Sequence, residues 1–149
     1  MSYNSRPATL REVLQFFVEE IDGMGIHNDP IRNLGLPGCW EKCNDWTLCE
    51  LTEPEFMHLL IPDGTNMLIK EKGLSSMEAS SKDTTIKYLN RLNRNQKISP
   101  LILRSYILTN ERKDSSFSIE DGSHRAIAAK IYFENHKYIP VKAYIRGNK

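Results

Sequence analysis

The sequence predicts an α/β (α+β) fold, a mixed sheet with flanking helices, from three observations. Polar and apolar residues alternate over 139–146, which is the pattern of a strand with one buried face. Apolar residues recur at helical spacing over 10–21 and again over 86–92. The composition, with 149 residues of which 40% are hydrophobic and 26% charged, is that of a single globular domain.

The first helix is predicted from its start signal and its apolar stripe. Thr9 and Glu12 have the spacing of a capping box, and the stripe that follows ends near Ile21, before Gly23. We expect this stripe to be buried in the core of the protein. The alternative is an exposed surface that binds a protein partner.

Two units are expected along the chain, packed together as one compact body. Residues 1–40 would form a helical extension, and residues 41–149 would form the domain on which it packs. Within the domain, 46–51 has strand character and 53–60 fits a short helix. The polar, Ser-rich segment 70–82 is expected to be a surface loop.

The last third of the chain has the most regular pattern. The expected elements are a helix over 83–93, a strand over 101–108, a polar turn over 111–116, a strand over 117–120, a helix over 126–134 and a strand over 139–146. The helix over 83–93 would begin at Asp83 as its cap. After it, the order is strand, turn, strand, helix, strand, without an internal repeat.

The charge of the chain is unevenly distributed. Residues 1–81 hold 6 Lys and Arg against 13 Asp and Glu, whereas residues 82–149 hold 14 against 6. The basic half favours an anionic partner such as a nucleotide or a nucleic acid. The alternative is that the two halves pack together and neutralise each other.

The same sequence disfavours several classes of protein. No apolar run approaches the roughly 20 residues that cross a bilayer, and residues 1–10 lack the apolar core of a signal peptide. Three cysteines are too few for a disulfide scaffold, and together with His58 they lack the ligand spacing of a zinc site. We therefore expect a cytoplasmic protein with no membrane partner and no metal site formed by these residues, with Cys49 buried in a strand.

The strongest candidate site is the segment Asp121-Gly122-Ser123-His124-Arg125, between a predicted strand and a predicted helix. Backbone N–H groups at a helix start lack partners, and the helix dipole makes that end positive. Glycine lets an anion approach the backbone, and hydroxyl, imidazole and guanidinium groups suit a phosphate. Asp121 would orient His124 or Arg125, or help to hold a divalent metal. The alternative is a helix start capped by Ser123, in which exposed His124 and Arg125 would oppose the dipole.

Three stretches around this segment form a wider pattern. They are Ser118-Ile119-Glu120-Asp121-Gly122-Ser123-His124-Arg125-Ala126-Ile127-Ala128-Ala129, Tyr138-Ile139-Pro140-Val141-Lys142-Ala143 and Ile98-Ser99-Pro100-Leu101-Ile102-Leu103. The pattern resembles the ParB/sulfiredoxin superfamily, whose members share a Gly-x-x-Arg-like turn after a strand, a helix with paired alanines and an Ile-Pro-Val strand. The resemblance covers residues 83–146. It implies a ParB/sulfiredoxin-like domain that binds nucleotide phosphates at the turn.

The chemistry of that superfamily is diverse. Sulfiredoxins transfer phosphate from ATP, free-serine kinases phosphorylate an amino acid, ParB proteins bind and hydrolyse CTP, and some relatives are ATPases or nucleases. Ser123 stands where sulfiredoxins have their cysteine, which disfavours thiol chemistry, and the chain ends too soon after its last strand for the helix-turn-helix domain expected of ParB. The Asp-Gly-x-His-Arg form most resembles the free-serine kinase branch, which has a second His in place of Ser123.

The resemblance to that branch implies a nucleotide-dependent phosphotransferase or nucleotide hydrolase. ATP or another nucleotide and Mg²⁺ would be its cofactors, and an unidentified hydroxyl would be the acceptor. The residues that would hold the nucleotide phosphates are Gly122, Ser123, His124 and Arg125. Asp121 and His124 would take part in catalysis, and Glu78, ranked ahead of Glu71, would be the general base.

Two other functions stay open at this point. A DNA-binding protein or nuclease of the ParB-like type would use basic residues to contact phosphates, namely Arg91, Arg94, Lys97 and Arg104. No recognised DNA-binding motif accompanies these residues. A toxin-like or partner-binding protein would keep only nucleotide binding and would contact a protein through the N-terminal helix.

Overall fold

A computed structural model describes the chain over residues 3–23, 43, 45–61, 67–74, 79–105 and 117–147. The polar turn predicted over 111–116 lies outside these residues. The expected loop over 70–82 is only partly covered, because residues 75–78 also lie outside them.

The described residues form seven strands, four α-helices and one short 3₁₀ helix, so the mixed α+β class is confirmed. The strands are β1 (Tyr3–Ala8), β2 (Trp46–Glu50), β3 (Leu60–Ile61), β4 (Met67–Leu68), β5 (Leu101–Ser105), β6 (Phe117–Asp121) and β7 (Lys142–Arg146). The helices are α1 (Leu10–Gly23), α2 (Glu53–Met57), α3 (Ala79–Asn93) and α4 (Ser123–Phe133), and the 3₁₀ helix is Ile69–Glu71. None of the described helices has the length and apolar character that a bilayer span requires.

All seven strands belong to one mixed sheet with the order β1-β2-β7-β5-β6-β3-β4. β5 and β7 run parallel at its centre, and β6 pairs antiparallel with β5. The end of β6 therefore lies beside the start of β5, where Asp121 is opposite Ile102. This topology brings the first turn of α4 to the same end of the sheet as the segment that leads into β5.

The N-terminal segment contributes a strand as well as a helix. β1, which the sequence did not predict, pairs antiparallel with β2 and forms one edge of the sheet. It contains Pro7, which is compatible with an edge strand but gives no strand signal in the sequence. At the start of α1 the Thr9 hydroxyl accepts a hydrogen bond from the backbone N–H of Glu12 at 3.1 Å, as expected for an N-cap. The Glu12 carboxylate also accepts hydrogen bonds from Arg6 and from the Tyr144 hydroxyl.

Both faces of the sheet carry buried apolar clusters, because side chains alternate along each strand. On one face, Leu101 and Leu103 pack with residues of α3 and α4. On the other face, Ile102 packs with Val13 and Phe17 of α1. Val13 and Phe17 are 0% and 5% exposed, so the predicted burial of the α1 stripe is confirmed at these positions.

Element boundaries differ from several predictions. α3 begins at Ala79, four residues before the predicted cap Asp83, which is an exposed residue inside the helix. The prediction of a loop over 70–82 is therefore wrong in part, because residues 79–82 belong to α3. Ser80, Ser81, Asp83 and Thr84 have lower helix propensity than Ala79, so tertiary packing rather than the propensity of these residues accounts for the early start of α3. Similarly, α4 begins at Ser123 instead of residue 126.

Candidate functional site

The candidate site is the turn between β6 and α4, where Gly122 has a left-handed conformation with φ of +108°. Gly122 is the N-cap of α4 and Ser123 is its first helical residue, so the alternative in which Ser123 caps the helix is wrong. No side chain caps this end of α4, and its first turn holds no acidic residue. The first backbone amides of α4 consequently lack an acceptor within the helix, and their dipoles make this end positive.

Arg125 lies in the first turn of α4, and its side chain is held against the turn instead of extending into solvent. The residue is only 3% exposed. Its Nη2 donates to the Pro100 carbonyl at 2.8 Å and to Asp121 Oδ2 at 3.2 Å. A Cβ added at Gly122 would lie 2.8 Å from Arg125 Nη2 and 2.8 Å from Leu101 Cδ2. The close approach of the guanidinium to the backbone therefore requires glycine at this position.

Residues from α1 and α3 complete the surroundings of Arg125, and we call this set the Arg125 cluster. Glu20 Oε2 lies 4.0 Å from Arg125 Nη1 and 3.8 Å from Arg91 Nη1, and it accepts the Tyr88 hydroxyl at 2.8 Å. The ring centroids of Phe16 and Tyr88 lie 5.8 and 5.9 Å from Arg125 Cζ. Arg125 Nε is buried and has no hydrogen-bond partner among the described residues. The hydrogen bonding of this guanidinium is thus incomplete.

The pKa values of the cluster follow from burial and neighbouring charges. Burial alone lowers the pKa of Arg125, but Asp121, Tyr88 and Glu20 raise it above its ordinary value, so the guanidinium stays charged. Burial raises the pKa of Tyr88 to about 12, which keeps its hydroxyl protonated as a donor to Glu20. Burial also lowers the pKa of His124; Asp121 partly offsets this effect and Arg125 adds to it. The His124 imidazole is therefore neutral at pH 7.

The structure brings residues 121–125 together, as the sequence suggests, but it gives Arg125 an unexpected position. Its guanidinium is buried and bonds to protein groups, so Arg125 is not the exposed first-turn residue of the capped-helix alternative. Ser123 and His124 are partly exposed at the start of α4. Glu78 lies outside the described residues, and Glu71 is an exposed residue of the 3₁₀ helix.

The four basic residues of the nucleic-acid hypothesis do not share one face. Arg91 lies in the last turn of α3, and Arg94 and Lys97 follow the helix, on the side of the sheet that α3 and α4 cover. Arg104 lies on β5 and alternates with Leu103, so it belongs to the opposite face of the sheet.

Sequence reasoning missed the cluster residues that come from other elements. Glu20 lies one helical turn after Phe16, so the sequence places both on one side of α1. That spacing was the available signal, but a glutamate beside an apolar stripe is ordinarily solvated. Tyr88 and Pro100 gave no signal, because only the folded chain brings them to Arg125.

Metal ligands are few in the part of the chain that the structure describes. No group of three or more His, Cys, Asp or Glu side chains there is arranged to hold a metal ion. Cys49 is 2% exposed within β2, as predicted, and His58 Nδ1 lies 2.7 Å from the Pro54 carbonyl oxygen. Mg²⁺ often takes one or two protein carboxylates together with substrate phosphates and water. Asp121 fits that limited role, since its recorded bond to Arg125 uses only Oδ2.

No protein-family model, curated protein or solved structure matches this chain. The function is therefore inferred from the geometry of the turn and from the motif resemblance.

Proposed function

We propose that the turn from Asp121 to Arg125 binds the phosphate groups of a nucleotide and that the protein is a nucleotide-dependent phosphotransferase or nucleotide hydrolase. The observation that carries the proposal is an uncapped helix start next to a buried, charged and incompletely bonded arginine. The ParB/sulfiredoxin-like fold and a reducing, cytoplasmic setting are parts of the same proposal. They are supported by the motif resemblance and by the low cysteine count.

The backbone supplies most of the phosphate binding in this proposal. The amides of Gly122, Ser123 and His124, which have no acceptor within α4, form the donor set of a helix N-terminus, and the Ser123 hydroxyl adds one donor. Arg125 would attract the phosphate through its charge without bonding to it directly. The guanidinium stays charged and is buried, so solvent screens its charge only weakly. An anion at the turn would lie in the field of both the helix dipole and this guanidinium.

The other residues of the turn supply proton transfer and cation binding. Because its pKa is lowered, His124 is in the neutral form that a general base requires, and it would accept a proton from an attacking hydroxyl or water in the course of the reaction. Asp121 orients Arg125 through its Oδ2 and would contribute a carboxylate ligand to Mg²⁺. The cation would neutralise charge on the transferring phosphate. The acceptor hydroxyl and the role of Glu78 rest on the resemblance alone.

The test is isothermal titration of the full chain with ATP, ADP and CTP in the presence of Mg²⁺, followed by the variant Ser123→Asp. A carboxylate in the first turn of a helix favours the helix dipole, so this variant should remain folded. The same carboxylate would repel a phosphate, and we expect nucleotide affinity to fall by at least about tenfold. The conservative variant Ser123→Cys should keep the native nucleotide affinity, because backbone amides do most of the binding.

The matched control is Thr9→Asp, which places a carboxylate at the start of α1 instead. Its nucleotide affinity should equal that of the native chain. Equal affinity in Ser123→Asp and the native chain would place the nucleotide elsewhere, and a native chain without saturable binding would refute the proposal. A short DNA duplex titrated at low and high salt would show whether binding is instead to nucleic acid.

A further inference from the structure

A cavity of about 620 Å³ lies between the C-terminal ends of α3 and α4 and the segment that leads into β7. Its volume is within the range that small-molecule sites have in proteins. Seven of its twelve lining residues are apolar, namely Leu92, Ile98, Pro100, Tyr132, Phe133, Ile139 and Pro140. None of the residues 121–125 lines it, so it is distinct from the proposed phosphate site.

The aromatic wall of the cavity is fixed by packing against neighbouring rings. Phe133 lies edge-on to Phe56 and Tyr138, with ring centroids 6.1 and 5.1 Å away. Tyr132 stacks on His136, with centroids 3.9 Å apart and ring planes 4° from parallel. Because these rings are already held in place, a ligand would meet a preformed apolar surface and would not have to order it.

Ile139 indicates that this surface is incompletely covered. It is 52% exposed, and in the described part of the chain Ile86 is the only other large hydrophobic residue with comparable exposure, at 41%. Ile86 lies on α3 and does not line the cavity. An apolar group bound in the cavity would remove Ile139 from water, which is favourable in proportion to the buried area.

The charges around the cavity favour an anion. Lys97 and Lys142 are exposed lining residues, and neither has an ion-pair partner among the described residues. The third charged lining residue is Glu50, whose carboxylate accepts a hydrogen bond from the Asn4 amide. Two unpaired lysines against one carboxylate leave an excess of positive charge beside an apolar surface.

We propose that this cavity binds a small amphipathic anion. Its apolar ring system or chain would cover Ile139 and contact the wall of Tyr132 and Phe133, and its carboxylate or sulfonate would lie near Lys97 and Lys142. Of the residues around Arg125, only Pro100 also lines this cavity, and the ligand proposed here requires no nucleotide, so the two sites can be tested separately.

The test uses anilinonaphthalene sulfonate, a fluorescent aromatic anion, as the probe of the full folded chain. We expect one saturable fluorescence increase, which Ile139→Asp weakens by about tenfold, whereas the matched control Ile86→Asp changes affinity by less than about twofold. Both substitutions replace exposed side chains, so neither should unfold the protein. Equal weakening in the two variants, or an increase that does not saturate, would overturn the proposal.

Competition separates the charge preference from general apolar binding. Octanoate should displace the probe, whereas octylamine, which has a similar chain and the opposite charge, should not. Lys142→Gln should lower the affinity for the probe by about threefold, and the control Lys87→Gln on α3 should leave that affinity unchanged. Displacement by octylamine as efficient as by octanoate would overturn the assignment to an anion. Loss of nucleotide binding in Ser123→Asp with unchanged probe affinity would confirm that the two sites are separate.

Discussion

Two largely buried arginines hold carboxylates in different ways. Arg146 on β7 donates from Nε and Nη2 to the two oxygens of Glu120, at 3.0 and 2.9 Å. Arg125 reaches Asp121 with one bond at 3.2 Å, and its Nε has no partner among the described residues. Yet the Arg125 side chain is 4% exposed and that of Arg146 is 16% exposed. The more deeply buried arginine is the less completely bonded one.

The difference separates a structural ion pair from a candidate site. The bidentate pair of Arg146 and Glu120 links the two strands that flank β5, and it satisfies both partners. Arg125 instead gathers α1, α3 and α4 around the glycine turn, where burial of a charge with incomplete bonding is costly. Such a cost is typical of sites where a ligand supplies the missing interactions.

The largest expected effect is that of Arg125→Met. Removing the guanidinium leaves the Glu20 and Asp121 carboxylates without their buried partner, which should lower the free energy of unfolding by about 3–5 kcal/mol. Unfolding in urea, followed by tryptophan fluorescence, measures the free energy of unfolding of the variant and the native chain. With a loss of that size, an Arg125 variant cannot by itself test nucleotide binding, and Ser123→Asp is the better probe of the site. A loss below about 1 kcal/mol would show that the cluster does not hold the three helices together.

Gly122→Ala should have the next largest effect. Its φ of +108° strains any side chain, and the added Cβ would lie 2.8 Å from both Arg125 Nη2 and Leu101 Cδ2. We expect a loss of about 2–3 kcal/mol, together with weaker nucleotide binding because the turn must shift. Gly73→Ala is the matched control, since its Cβ would meet nothing within 4 Å. Equal stability of the two variants would contradict the close approach of Arg125 to the turn.

The sequence predicted what local patterns determine and missed what distant contacts determine. Residues 121–125 are contiguous, so strand, glycine and helix signals located the turn. Glu20 was not predicted because its contact with Arg125 joins segments that are far apart in the chain. β1 was missed because an edge strand containing Pro7 shows little alternation, and the start of α3 was missed because packing overrides poor helix propensity.

A double-mutant cycle on Arg146→Met and Glu120→Gln tests the structural half of the comparison. A bidentate pair with little exposure should give a coupling energy of about 1–2 kcal/mol. The matching cycle on Arg125→Met and Asp121→Asn should give a coupling energy that is a small part of the unfolding free energy lost in Arg125→Met. The reason is that Arg125 has several partners besides Asp121. A coupling in the second cycle as large as the whole Arg125→Met effect would mean that Asp121 alone holds this arginine.

The smallest effect concerns His124, and it is read from pH dependence. Because folding lowers its pKa, the unfolded state binds more protons just below about pH 6.5, so stability should fall as pH falls through that window. His124→Gln should flatten this part of the unfolding profile. A bound phosphate acts in the opposite direction, since a nearby anion raises the pKa of an imidazole and nucleotide affinity should therefore rise as pH falls. Comparing native chain and His124→Gln removes the titration of the nucleotide itself. A native affinity profile identical to that of His124→Gln would show that the phosphate is not bound beside His124, whereas a stability difference alone would reflect only the burial of His124 in the folded state.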